Sequence, residues 1–235
     1  MNIKEYFENL KNESNLIFDQ SILLEEHLGK SHFYVTCIHD FTQHITDIKE
    51  KNNWINICSQ LEASILSVTL GLYRQAFSTL RLGFELGLGS ILFSIDKIHF
   101  YEWLKGCSDI KWSKIIDEET GIFSQKYINA FFPSLNEDIK QARAKAIDNY
   151  RKLSEYVHGN HQTWMKNGIK LTFNSELLLE FFNHFDEITE ILLFCLFARY
   201  SNDFTKETLE ICEFLNERLG NNDRIREYLG GAKNK

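Results

Sequence analysis

Proline is almost missing from this chain, with Pro133 alone among 235 residues. Proline removes a backbone donor and clashes with the preceding turn, so its scarcity takes away the commonest helix breaker and favours a mostly α-helical fold. Cysteine is sparse and scattered: Cys37, Cys58, Cys107, Cys195 and Cys212 make no CxxC pair and are odd in number. That pattern argues against a zinc site or a disulfide framework and points to a reduced, cytoplasmic protein. Long apolar runs are lacking too. The longest, ILLFCLFA from Ile191 to Ala198, sits between Glu190 and Arg199. It is far short of the ~20 residues that span a bilayer and reads as a buried helix. The N-terminus, MNIKEYFENLKNESN, has no apolar core segment, so no secretory signal is visible and no membrane partner is expected. No phosphate loop, dinucleotide fingerprint or nucleophile elbow occurs, and His39 and His44 are wrongly spaced for an HExxH zinc site. Neither a cofactor nor a metal is expected.

What is present is the composition of a folded globular chain: 43% hydrophobic and 25% charged residues, with 19 phenylalanines. No repeat, low-complexity tract or linker divides it, so residues 1–235 read as one helical domain. Amphipathic spacing predicts one or two helices over 3–28 and another over 32–50. Ile55, Cys58, Leu61, Ile65, Val68 and Leu72 recur at threes and fours, and Phe77, Leu80, Phe84 and Leu88 continue the pattern. Gly71 marks a break between helices 54–70 and 73–95, which a short turn would fold into an antiparallel pair. Gly83, Gly87 and Gly89 would let another helix approach closely. Short helices are expected at 100–105, 109–117 and 122–131. Ser134 with Glu137 fits a capping box opening a helix that runs to His158. Residues 162–173 look irregular. Ser175 then caps a long helix to about Tyr200, and a helix over 205–219 precedes a frayed polar tail.

The formal net charge of −7 argues against a surface that coats nucleic acid broadly. One segment departs from it: residues 139–170 hold seven Lys and Arg, among them Lys145, Arg151 and Lys152, against only Asp148 and Glu155. A positive stripe on an acidic protein focuses a phosphate-bearing ligand. At about 100° per residue, Ala146, Tyr150, Leu153 and Val157 make a core-facing stripe, while Arg151, Ser154 and His158 share the opposite face. A rise of ~10.5 Å separates Arg151 from His158, a gap that a long arginine side chain largely closes. Plainer roles are available: an imidazole before Gly159 complements a helix end, and Arg151 is in reach of Asp148 or Glu155 for a surface ion pair.

An arginine, six residues (KLSEYV) and a histidine late in a helix, preceded by the long pair LEASILSVTLGLYRQAFSTLRLGFELGLGSILF, resembles the HEPN superfamily. The likeness covers about residues 54–200 and leaves the N-terminal extension, 1–50, outside it. It implies an all-α, HEPN-like helical bundle with additional N- and C-terminal helices, acting as a metal-independent RNA endonuclease of a toxin or antiphage defence system. It also implies a homodimer in which two motif helices form one cleft, with an antitoxin or defence-complex partner. Arg151 and His158 would be catalytic, Ser154 would add a hydrogen bond, and Glu85 would be the acidic member, although Arg81 and Glu85 also suit an intrahelical pair. Lys152, Lys145, His161 and Tyr156 are the candidate RNA contacts, although core or interface packing suits Tyr156 better and His161 also suits a plain surface place; Lys152 stands where many members of the family carry a polar residue. The alternative within the same resemblance is a non-catalytic binding or scaffold module.

Overall fold

The computed structural model describes residues 2–158 and 171–232. Among them are twelve α-helices and no strand: α1 Ile3–Ser21, α2 Glu25–Gln43, α3 Ile48–Thr69, α4 Tyr73–Phe93, α5 Lys97–Leu104, α6 Trp112–Ile115, α7 Gln125–Phe131, α8 Asp138–His158, α9 Ser175–Tyr200, α10 Lys206–Ile211, α11 Phe214–Leu219 and α12 Asp223–Tyr228. The fold class is all-α, as the proline count and the apolar periodicity lead one to expect.

The core is built around α4, which packs against α3, α8 and α9, while α2 covers α3 and α9. Pairwise contacts give the directions. Arg74 meets Val157 and Arg81 meets Tyr150, so α8 runs antiparallel to α4. Gly87 faces Leu192 and Arg199 reaches Ser94, so α9 runs parallel to α4. The α3–α4 turn works as the sequence suggests: Gly71 takes φ +77°, the left-handed region in which a side chain is strained. Gly87 carries the close approach that its type predicts, since a Cβ there would stand 2.5 Å from Leu192 Cδ2 on α9. The run Ile191–Ala198 is buried throughout. Among the described helices, α4 alone is long and apolar enough to cross a membrane by length and composition. Yet 67% of its apolar window is buried inside the bundle, the setting of a core helix.

Several boundaries differ from the sequence reading, for local reasons. The helix predicted at 32–50 is two: α2 stops at Gln43, and Asp47 caps α3 by accepting from the backbone N–H groups of Lys49 and Glu50. No Ser134 cap opens α8. Pro133–Leu135 form a 3₁₀ turn instead, and α8 begins at Asp138. The cap of α9 is Asn174, whose side chain accepts from Leu177 N at 3.0 Å, one residue before the serine chosen from sequence. The helix expected over 205–219 breaks into α10 and α11 around Cys212, whose side chain is buried. The tail is no frayed end as far as residue 232. There α12 buries Ile225, and Arg224 pairs with Asp138 at 2.8 Å and with Glu137. The irregular stretch predicted over 162–173 falls largely on residues 159–170, outside those described.

Candidate functional site on helix α8

The inner face of α8 is set by Ala146, Asn149, Leu153 and Tyr156, all buried and spaced three, four and three apart. This stripe is turned from the one read in the sequence: Tyr150 and Val157 are half-buried, while Asn149 and Tyr156 go inside. Asn149 is tolerated there because its amide is saturated. It donates to Glu187 at 2.8 Å and to the Lys145 carbonyl at 3.0 Å, and its Oδ1 meets His184 Nδ1 at 2.8 Å. Burial holds the His184 imidazole below its usual range, against the pull of Glu180.

Tyr156 is corrected outright as an RNA contact. It is 1% exposed and stacks on Phe77 of α4, with ring centroids 3.7 Å apart and planes 11° from parallel. A ring stacked on one face and buried on the other has no open face for a base.

Opposite the buried stripe, Arg151 and His158 are both exposed. The surface ion pairs open to Arg151 in the sequence do not form. Asp148 bonds Lys152 at 2.8 Å, and no described residue makes a side-chain bond to Arg151. Ser154, one turn from each, spends its hydroxyl on the helix, donating to the Tyr150 carbonyl at 2.6 Å. The basic stripe is largely neutralised locally: Lys145 pairs with Glu190 at 3.4 Å on the α9 side, and Arg143 with Glu118 at 3.1 Å. Neither Lys145 nor Lys152 is thus an unpaired cation beside Arg151. His161 and the Gly159 that would end the helix lie outside the described residues.

Glu85 makes the intrahelical pair that its spacing from Arg81 allows, and among the described residues no contact joins it to Arg151 or His158. It lies 3.8 Å from Arg81 one turn away on α4, and a hydrogen bond joins it to the Tyr150 hydroxyl, which also accepts from Arg81. Burial lifts the Glu85 carboxyl above its usual range, against the pull of Arg81 and Tyr150. Trp112 of α6 stacks on the Tyr150 ring at 3.7 Å and completes the cluster. Since α4 and α8 are antiparallel, Glu85 is level with about residue 146, roughly 18 Å along the axis from His158. Within one chain Glu85 therefore belongs to the α4–α8 packing seam and not to the His158 end.

The sequence reading missed Arg74. Its guanidinium donates to the Tyr156 carbonyl at 3.2 Å through Nε and to the Val157 carbonyl at 3.1 Å. A signal was present: Arg74 and Arg81 are seven apart, as are Val157 and Tyr150, the register of two antiparallel helices in contact.

A cleft of about 500 Å³ between α8, α9 and α12 is lined by Asp138, Lys145, Glu190, Arg218 and Arg224. Its cations are all paired, Arg218 with Asp186 at 2.9 Å, and neither Arg151 nor His158 lines it. The described residues hold no cluster of three or more His, Cys, Asp or Glu side chains arranged for a metal. Comparison with protein-family models, with curated proteins and with solved structures gives no match to this chain. The chemistry of the face on α8 has to be argued from its own residues.

Proposed function

We propose that the protein is a metal-independent, HEPN-like RNA endonuclease that works as a homodimer, with two copies of the α8 outer face forming one cleft. The observation that carries this reading is the pairing on one exposed helix face of an imidazole with a guanidinium that no described side chain neutralises. RNA brings its own nucleophile. The 2′-OH attacks the adjacent phosphorus, its proton passes to a base, the bond to the 5′-oxygen breaks, and that oxygen takes a proton. An imidazole can both take and give a proton, which suits the two transfers, and the second copy supplies a second imidazole. Arg151 would grip the scissile phosphate bidentately and offset the charge of the pentacovalent state. Ser154 and Glu85 are left with supporting places, since their polar atoms are already engaged. The scattered cysteines suit a reduced, cytoplasmic setting, and the resemblance to HEPN proteins suits a toxin or antiphage defence effector held in check by an antitoxin or a defence-complex partner.

The test is RNA cleavage by the purified protein and by its His158→Ala and Arg151→Ala variants, with chelator present and absent. Both variants should lose cleavage by at least about 100-fold, the lower range for removing a general acid–base group, and EDTA should change nothing. Cleavage retained by His158→Ala, or lost to chelation, overturns the reading. A second reading, a non-catalytic binding or scaffold module, is favoured by the net charge of −7. It predicts that expression toxicity, if any, is the same for the wild-type chain and His158→Ala.

A further inference from the structure

The first turn of α4 makes polar attachments to both helices that flank residues 159–173. Arg74 forks onto the carbonyls of Tyr156 and Val157, the penultimate residues of α8. Its neighbour Tyr73 accepts at its hydroxyl from the backbone N–H of Asn174, the cap of α9, at 2.7 Å. Phe77, one turn on, stacks under Tyr156. The last four carbonyls of a helix have no partner within it, and a cation bonded there also meets the negative end of the helix dipole. His158 is the final residue of α8, on the side away from the core, so its own side chain does nothing to hold that turn to the bundle.

We propose that Arg74 is a positioning residue for His158: by bonding the last carbonyls of α8 it fixes the turn that carries the imidazole and so sets where that ring stands relative to Arg151. This rests on the ribonuclease reading for its consequence in catalysis, but not for its structural content. Arg74 touches no reacting atom. Lysine can keep a cation at the helix end but cannot reproduce the fork, because its ammonium is a point donor and the guanidinium is planar with two divergent N–H groups.

Two measurements on Arg74→Met and Arg74→Lys test it. Amide hydrogen exchange over residues 155–158 should rise about tenfold in Arg74→Met, as a local opening of the last turn, with residues 146–153 unchanged. Arg74→Lys should fall between wild type and Arg74→Met. In RNA cleavage kcat should drop about tenfold in Arg74→Met with KM within about twofold, the pattern of a misplaced reacting group on an intact binding face. Unchanged exchange at 155–158 overturns the positioning role, as does a rise spread evenly along α8. If His158→Ala cleaves RNA normally, the ribonuclease reading falls alone, and the exchange result still decides what Arg74 does. If Arg74→Met does not fold, Arg74→Lys carries both measurements, and wild-type exchange together with wild-type kcat in that variant counts against the fork.

Discussion

At the end of the bundle where α3 starts and α9 stops, Glu50 is 4% exposed and is met by the Lys97 ammonium and by the Tyr200 hydroxyl at 2.6 Å. Asp47 takes the same ammonium at 2.8 Å, and Arg199 donates to Ser94 at 2.9 Å and to Asp203 at 3.1 Å. At the other end Arg151 and His158 stand in solvent, and Arg151 has no described side-chain partner. Burial opposes the Lys97 charge, yet the two carboxylates outweigh it and hold the ammonium above its usual range. A charge enclosed and matched on every side is part of the scaffold. A charge held out on a rigid helix with its partners directed elsewhere is available to a ligand. The contrast separates polar groups that keep the fold from those that cost the fold nothing to lose.

That contrast can be broken by measurement. The largest effect should come from the inner face of α8. Tyr156→Ala removes a buried stacked ring and should cost about 3–5 kcal/mol in denaturant unfolding. Glu50→Ala at the far end strands the Tyr200 hydroxyl and one bond of Lys97. It should cost about 2 kcal/mol, tempered because Lys97 keeps Asp47 and some contact with water. Acid should sharpen the picture through His184. The folded chain holds this imidazole below its usual range, so below about pH 6.5 the unfolded chain binds the proton more readily and stability falls with pH. The slope is at most about 1.4 kcal/mol per pH unit from this one group, and His184→Gln should flatten that part of the profile of Tm against pH. Smallest of all, Arg151→Ala and His158→Ala should each shift stability by no more than about 0.5 kcal/mol. A loss from His158→Ala as large as that from Tyr156→Ala would erase the distinction between the two faces.

Helix class and the α3–α4 turn were legible because proline scarcity, apolar periodicity and Gly71 are local signals that tertiary packing did not override. The burial of Ile191–Ala198 followed from composition alone. The face shared by Arg151 and His158 was also legible, since angular spacing on a helix is fixed by its geometry. Tyr156 was legible only as a choice: a phenol reads as amphipathic in sequence, core packing is the stronger of its two readings, and the approach of Phe77, 79 positions earlier, decides that it goes inside. Asn149 hid in the same way, its burial depending on His184 and Glu187 from another helix. Caps slipped by a residue where Asn174 and Ser175 compete, and the tail was misjudged because the partners of Arg224 lie 86 and 87 positions away.

The bond between Tyr200 and Glu50 joins residues 150 positions apart, and Arg199 reaches Ser94 across 105. A ribosome adding about 5–20 residues each second leaves the Glu50 carboxylate without its phenol for about 8–30 s. Through that interval α2, α3 and α4, and later α8, can pack on one another, but the side of α4 destined for α9, with Phe77 and Gly87, has nothing of its own chain to cover it. Synthesis therefore passes through a stage in which the newborn polypeptide is half a bundle, sticky on one flank, and the arrival of α9 is the event that seals it.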